Sequence, residues 1–131
     1  MRSFLLHRGR TAALVTAGLA AALALAGCGG DAKSGAGSAD AVAVTSTDAD
    51  CQVATTDLPA GTHVFRVENK GSRVTEFYVY GTGGKVVGEV KDISPGVSRE
   101  LTVKLAAGQY EAACKPGMEG NGIRRTLTVT G

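Results

Sequence analysis

Apolar and polar residues alternate along most of the chain from Val42 onward, and this period of two predicts β-strands. In VSRELTVKL, Leu101, Val103 and Leu105 share one face, while Lys104 points to the other. The same alternation recurs near the C-terminus in RRTLTVT, and no segment of this region shows a convincing apolar stripe with helical spacing. The pattern therefore indicates an all-β domain.

Turn-forming residues separate the alternating segments at short intervals. Glycine, proline and asparagine supply the backbone conformations that tight turns need. They cluster at residues 58–61, 69–71, 81–84, 94–96 and 106–108. Seven to eight short strands with this spacing predict a Greek-key antiparallel β-sandwich.

The N-terminal region has the pattern of an export signal. Three arginines precede an uncharged apolar run at residues 11–26, which is shorter than the roughly 18 to 20 residues that span a bilayer. The run ends in Leu-Ala-Gly-Cys, which resembles a bacterial lipobox, where cleavage precedes a cysteine that receives the lipid. We predict a lipoprotein signal peptide at residues 1–27, lipidation of Cys28 and a protein anchored outside the cytoplasm. An ordinary signal peptide is the alternative.

Residues 28–41 are rich in glycine, alanine and serine and predict a flexible linker. Residues 42–131 then form one small domain. The chain has 14 basic and 12 acidic residues, but three of the basic ones lie in the predicted signal peptide, which leaves 11 against 12. The mature protein is therefore nearly neutral, and its charge gives no reason to expect a nucleic-acid partner.

Two cysteines remain in the domain, Cys51 and Cys114. Outside the cytoplasm such a pair most often forms a disulfide. The alternation places both side chains on the inward face of their segments, as a bond between two strands requires. We expect this disulfide to contribute about 4 kcal/mol to stability, since it closes a loop of more than sixty residues.

Two segments resemble cupredoxins. AGQYEAACKPGMEGNGIRRTLTVT resembles the last two strands, where a cysteine and a methionine ligand lie close together. RVENKGSRVTEFYVYG resembles the strand pair that carries the first copper-binding histidine, and Glu76 stands at that place. A blue-copper centre needs two imidazoles and a thiolate, whereas His63 is the sole histidine of the mature domain and lies far from both segments. The sequence argues against type 1 copper.

A narrower resemblance covers nearly all of residues 42–130. The strings Thr-Glu-Phe, Gly-Glu-Val, Ile-Ser-Pro-Gly and Ala-Cys-Lys-Pro-Gly-Met look like the cupredoxin-like domain of EfeO-type proteins, components of a bacterial iron-uptake system. The resemblance implies a role in iron transport and a partner such as an iron permease or another uptake protein. Larger members continue into an imelysin-like helical domain with a His-x-x-Glu motif. This chain ends at Gly131 without that motif, and we expect a stand-alone domain.

The resemblance makes Glu76 and Glu89 the candidate metal ligands. Carboxylate oxygen is a hard donor that suits ferric iron, and Asp92 and Glu119 could contribute further oxygens. The competing interpretation is that these are solvated carboxylates with no metal. Met118 is a candidate soft ligand, and it would form a Cu(I) site if the two domain cysteines were reduced. Iron is thus the first candidate cofactor, and a copper-binding or electron-transfer protein is the alternative.

No catalytic grouping is evident. With one histidine in residues 42–131 and the two cysteines of that domain paired, neither a Ser-His-Asp nor a Cys-His arrangement is available, so we expect the protein not to be an enzyme. An immunoglobulin-like binding module without metal is a further alternative. Against it stand the absence of tryptophan and the Tyr-x-x-x-Cys spacing, where the immunoglobulin corner has Tyr-x-Cys.

Overall fold

Nine β-strands make up most of residues 40–131, the part of the chain that the computed structural model describes. The predicted signal peptide, Cys28 and residues 28–39 of the predicted linker lie outside the described residues. The strands are β1 (Val42–Ser46), β2 (Cys51–Val53), β3 (Asp57–Pro59), β4 (Gly61–Asn69), β5 (Thr75–Tyr80), β6 (Val86–Ile93), β7 (Ser98–Leu105), β8 (Gly108–Cys114) and β9 (Ile123–Thr130). Short 3-10 turns at Thr82–Gly84 and Pro116–Met118 precede β6 and β9. No helix within residues 40–131 has the length and hydrophobicity to cross a membrane.

The strands form two sheets, with the orders β2-β1-β4-β7 and β3-β9-β8-β5-β6. This arrangement confirms the predicted all-β sandwich. Two details differ from the expectation: there are nine strands, and both sheets are mixed, because β1 runs parallel to β4 and β3 runs parallel to β9. The unpredicted strand β3 has three residues, which is too short for an alternation of period two to be recognised. β2 also has three residues and coincides with the segment in which alternation placed Cys51 inward.

Strand β3 forms where the sequence predicted only a turn. Asp57–Pro59 pairs with β9 at the edge of the five-stranded sheet. Proline has no N–H to donate, and an edge strand is where a sheet tolerates it. The turn chemistry of residues 58–61 is therefore compatible with a short strand followed by a turn.

The core lies between the two sheets and consists of the inward residues of the alternating segments. The predicted inward side chains Leu101, Val103 and Leu105 are buried. The two largest fully buried side chains, Phe65 on β4 and Phe77 on β5, pack across the sandwich with ring centroids 5.5 Å apart. Burying such aromatic surface is worth about 1.5 to 3 kcal/mol per side chain, so this contact is a main source of cohesion between the sheets.

The predicted disulfide is present. Cys51 at the start of β2 and Cys114 at the end of β8 are both fully buried, with Cα atoms 5.5 Å apart. Because β2 belongs to the four-stranded sheet and β8 to the five-stranded sheet, the bond joins the two sheets covalently.

A buried asparagine organises the loops at the same end of the sandwich. The Asn69 side-chain amide donates hydrogen bonds to the carbonyl oxygens of Arg73 and Ile93, each at 2.7 Å, and its oxygen accepts one from the N–H of Gly71 at 2.8 Å. Asn69 is 1% exposed. Its side chain therefore sets the path of the chain between β4 and β5, the strand that carries Glu76.

Candidate functional site

Alternation along β5 places one set of side chains in the core and another on the outer face of the five-stranded sheet. Phe77 and Val79 are fully buried in the core. Tyr78 and Tyr80 lie on the outer face, where their rings stack with centroids 5.5 Å apart and planes 9° from parallel. Both tyrosines are nevertheless less than 10% exposed. We call this region, centred on Tyr78 and Tyr80, the tyrosine face.

Three cationic side chains lie over the two rings, one from β6, one from β9 and one from the turn after β8. The Lys115 ammonium is 4.3 Å from the Tyr78 centroid, and that of Lys91 is 5.9 Å from it. The Arg124 guanidinium is 4.4 Å from the Tyr80 centroid. A cation over an aromatic ring is attracted by the negative face of the ring, and this packing explains the low exposure of the tyrosines.

The two predicted metal ligands, Glu76 and Glu89, flank Tyr78. The Tyr78 hydroxyl donates a hydrogen bond of 2.8 Å to the Glu76 carboxylate. Glu89 on β6 is the cross-strand partner of Tyr78, so both side chains lie on the same face. Glu89 also forms an exposed ion pair with Lys91, with N···O at 3.4 Å. The structure therefore brings the two glutamates together around one phenol, although they are 13 positions apart in the chain.

This environment changes the acidity of the two groups beside the glutamates. Burial raises the pKa of the Tyr78 hydroxyl, and the hydrogen bond to Glu76 together with the negative charges of Glu76 and Glu89 raises it further, against an opposing effect of Lys91. The Glu89 carboxylate in turn raises the pKa of Lys91. At neutral pH the phenol is protonated and donates a hydrogen bond to the Glu76 carboxylate.

Glu76 does not point into the interior at the Cys114 end of the sandwich. Its neighbour Thr75 does so: Thr75 is fully buried, and its hydroxyl lies 3.1 Å from that of Ser46. A histidine at residue 76 would therefore extend from the outer face.

Cys114 is in the disulfide, and His63 on β4 of the other sheet donates from its ring to the Pro59 carbonyl at 2.7 Å. These donors do not fit a type 1 copper centre, which needs a free thiolate beside two imidazoles.

Met118 lies in the turn that follows β8. Its backbone adopts the left-handed conformation, with φ of 58°, and its side chain is 47% exposed. The cysteine sulfurs, by contrast, are fully buried and oxidised, so a Cu(I) site that includes Met118 would require reduction of the disulfide.

Asp92 and Glu119 are exposed, and no hydrogen bond or ion pair within residues 40–131 links either side chain to Glu76 or Glu89.

Sequence reasoning alone missed Tyr78. Within residues 40–131, no three side chains of the types His, Cys, Asp and Glu come together as a ligand set, so a metal bound at the two glutamates would need a donor of another kind. The alternation Glu-Phe-Tyr-Val-Tyr on β5 already places Glu76 and Tyr78 on one face, and this signal could have identified the phenol. The position of Glu89 opposite Tyr78 depends on strand pairing and had no such signal.

Comparisons with known proteins agree with this architecture. A family described as cupredoxin-like domain matches residues 15–129. Iron uptake system component EfeO of Escherichia coli (strain K12) is 32% identical over 68 residues, which are 52% of this chain and 18% of that protein. EfeO of Shigella flexneri gives the same values. The chain thus aligns with less than a fifth of the length of these relatives.

Solved structures with the same fold include two proteins whose whole length matches this domain. Reduced auracyanin from Roseiflexus castenholzii has a TM-score of 0.56 at 14% identity, covering 72% of this chain and all of that one. Azurin (Az-iso2) from Methylomonas sp. strain J has a TM-score of 0.51 at 17% identity, with the same coverage. At these identities the likeness establishes the fold alone.

Proposed function

This chain belongs to the cupredoxin-like domain family, with a domain of the EfeO type, and we propose that it binds ferric iron outside the cytoplasm and passes the ion to a partner protein. The observation that carries the proposal is the contact between the Glu76 carboxylate and the Tyr78 hydroxyl, with Glu89 directly across the strand pair. Two carboxylates and a phenol are hard oxygen donors, the class that suits a hard cation.

The spacing of these oxygens supports the proposal. A hard ion with octahedral ligands at about 2.0 Å holds neighbouring ligand oxygens about 2.8 Å apart. The Glu76 and Tyr78 oxygens are already 2.8 Å apart, because they share a proton. Binding of a trivalent ion would release the phenol proton to water. The ion would lie to one side of the line between the two oxygens, and the side chains could keep their separation as neighbouring ligands.

The exposure of the site suits delivery better than storage. The side chain of Glu89 is 43% exposed, and that of its partner Lys91 is 48% exposed. A ligand that water and a partner can reach exchanges without opening the fold. The mechanism we propose is stepwise ligand exchange from the carboxylates to the acceptor, with no covalent chemistry. An iron permease or another protein of the uptake system is the partner that the EfeO-type domain favours.

We further propose that Cys28 carries a lipid that anchors the domain to the outer surface of the cell membrane. The mature N-terminus would then be Cys28, separated from Val42 by the glycine-rich linker. Mass spectrometry of protein extracted from its native membrane should find a diacylglycerol-modified Cys28. A mature chain with an unmodified N-terminus at another residue would contradict the anchor.

The iron site is tested by calorimetric titration of the mature protein with Fe(III) delivered from nitrilotriacetate. We expect binding by the wild type and a loss of at least about 100-fold in affinity in the double variant Glu76→Gln, Glu89→Gln, since even the loss of an outer-shell partner costs about 10- to 100-fold. The single variant Tyr78→Phe should lose the visible charge-transfer absorption of a ferric phenolate.

The matched control is Glu68→Gln, Glu100→Gln. Glu68 is on β4 and Glu100 is on β7, and both strands belong to the other sheet. Glu68 forms an exposed ion pair with Lys70, and Glu100 forms one with Arg66. This variant should bind iron as the wild type does. An equal loss of Fe(III) affinity in both double variants would mean that iron binding depends on the net charge of the protein and not on Glu76 and Glu89. If Cu(I) or Cu(II) binds in parallel titrations and Fe(III) does not, the copper alternative replaces the iron proposal.

A further inference from the structure

We infer that the tyrosine face binds its ferric ion together with a carboxylate-type anion that Lys115 holds, an inference that rests on the proposed iron site. Lys115 is the first residue after β8, and its backbone N–H donates to the Glu76 carbonyl at 2.8 Å. Its side chain extends over the outer face, with the ammonium 4.3 Å from the Tyr78 centroid and 5.9 Å from that of Tyr80. The positive charge is thus held beside the donors of the site.

Lys115 differs from the other two cations of the tyrosine face in its partners. Lys91 is paired with Glu89, and Arg124 is paired with Glu111 at 2.6 Å. No carboxylate among residues 40–131 lies within 4.0 Å of the Lys115 ammonium. The fold therefore leaves one positive charge over the ring of the proposed phenol ligand without a negative partner in the described residues.

The protein donors leave room for an anion. Glu76, Tyr78 and Glu89 are three side chains, whereas a small hard ion in octahedral geometry takes six oxygens. A carboxylate-type anion could fill the remaining positions with one set of oxygens and accept a hydrogen bond from Lys115 with another. Charge-assisted hydrogen bonds of this kind are the strong ones. The substrate class would then be ferric iron with a bound anion, either carbonate or a chelating polycarboxylate.

The experiment measures the ferric affinity of the full mature protein by competition with acetohydroxamate, a chelator without carboxylates, in three buffers: without added anion, with bicarbonate and with citrate. For the wild type we expect affinity to rise about tenfold with at least one of the two anions. Lys115→Met should lose this enhancement, and Lys115→Arg, which keeps the charge, should retain most of it. Lys104→Met removes an exposed lysine from β7 of the other sheet and should behave as the wild type. Melting temperatures confirm that each variant is folded.

Each outcome separates the two proposals. Enhancement by bicarbonate indicates a small bridging anion, and enhancement by citrate alone indicates that the chelate itself is bound. Iron binding that is independent of both anions, or an enhancement that Lys115→Met keeps, would overturn the role of Lys115 and leave the iron site standing. No iron binding by the wild type in any buffer would overturn the iron site itself.

Discussion

Replacing Cys51 with serine is expected to lower the free energy of unfolding by about 4 kcal/mol, because the disulfide to Cys114 closes a loop with a sequence separation of 63. The cross-link restricts the unfolded chain far more than it restricts the folded one. Both sulfurs are fully buried between the sheets, so the variant also leaves a serine hydroxyl and a free thiol in the core. For a domain of this size the loss corresponds to a fall of roughly 15 to 30 °C in melting temperature.

The measurement is thermal and denaturant unfolding in non-reducing buffer, in a Cys28→Ser background that removes the third thiol. The double variant Cys51→Ser, Cys114→Ser should lose a similar amount, and the parent protein treated with reductant under denaturing conditions should approach it. An unchanged midpoint for Cys51→Ser would mean that the bond does not form in solution or does not stabilise the fold.

Replacing Asn69 with alanine is expected to cost about 3 kcal/mol or more, since it leaves three buried or partly buried backbone groups without partners and each unsatisfied group costs about 1 to 3 kcal/mol. The carbonyls of Arg73 and Ile93 lose their donor, and the N–H of Gly71 loses its acceptor. The loop that leads into β5 would lose its anchor, so ferric affinity should fall together with stability.

Two further variants at Asn69 test the role of its hydrogen bonds, and one variant elsewhere serves as a control. Asn69→Asp preserves the shape but replaces the amide donor with a carboxylate that faces two carbonyl oxygens, so it should destabilise at least as much as alanine at neutral pH. Asn69→Ser, which retains one donor, should be milder than either. Asn121→Ala changes an exposed loop residue and should stay within about 0.5 kcal/mol of the parent. A loss below 1 kcal/mol for Asn69→Ala would show that water replaces the missing bonds.

The tyrosine face illustrates how far sequence reasoning reaches. Alternation along β5 is a local property, and it places Glu76 and Tyr78 on one face before any partner strand is known. The same reasoning cannot say which residue lies opposite Tyr78, because pairing register depends on turns, bulges and the packing of both sheets. The pairing of β6 with β5 has two irregularities in register, one on each side of the Tyr78–Glu89 pair, so extending the register from either end of the strands without them would not place Glu89 across from Tyr78.

The sequence by itself determined the all-β class, the inward faces of the long strands, the disulfide and the mismatch with type 1 copper. These follow from local periodicity and from residue counts, and neither depends on how the chain is routed. Tertiary structure decided the two parallel strand pairs, the burial of Thr75 in place of Glu76 and the position of Lys115 over Tyr78. These contacts join residues far apart in the chain, and their free energy comes from packing that forms only when both sheets are assembled.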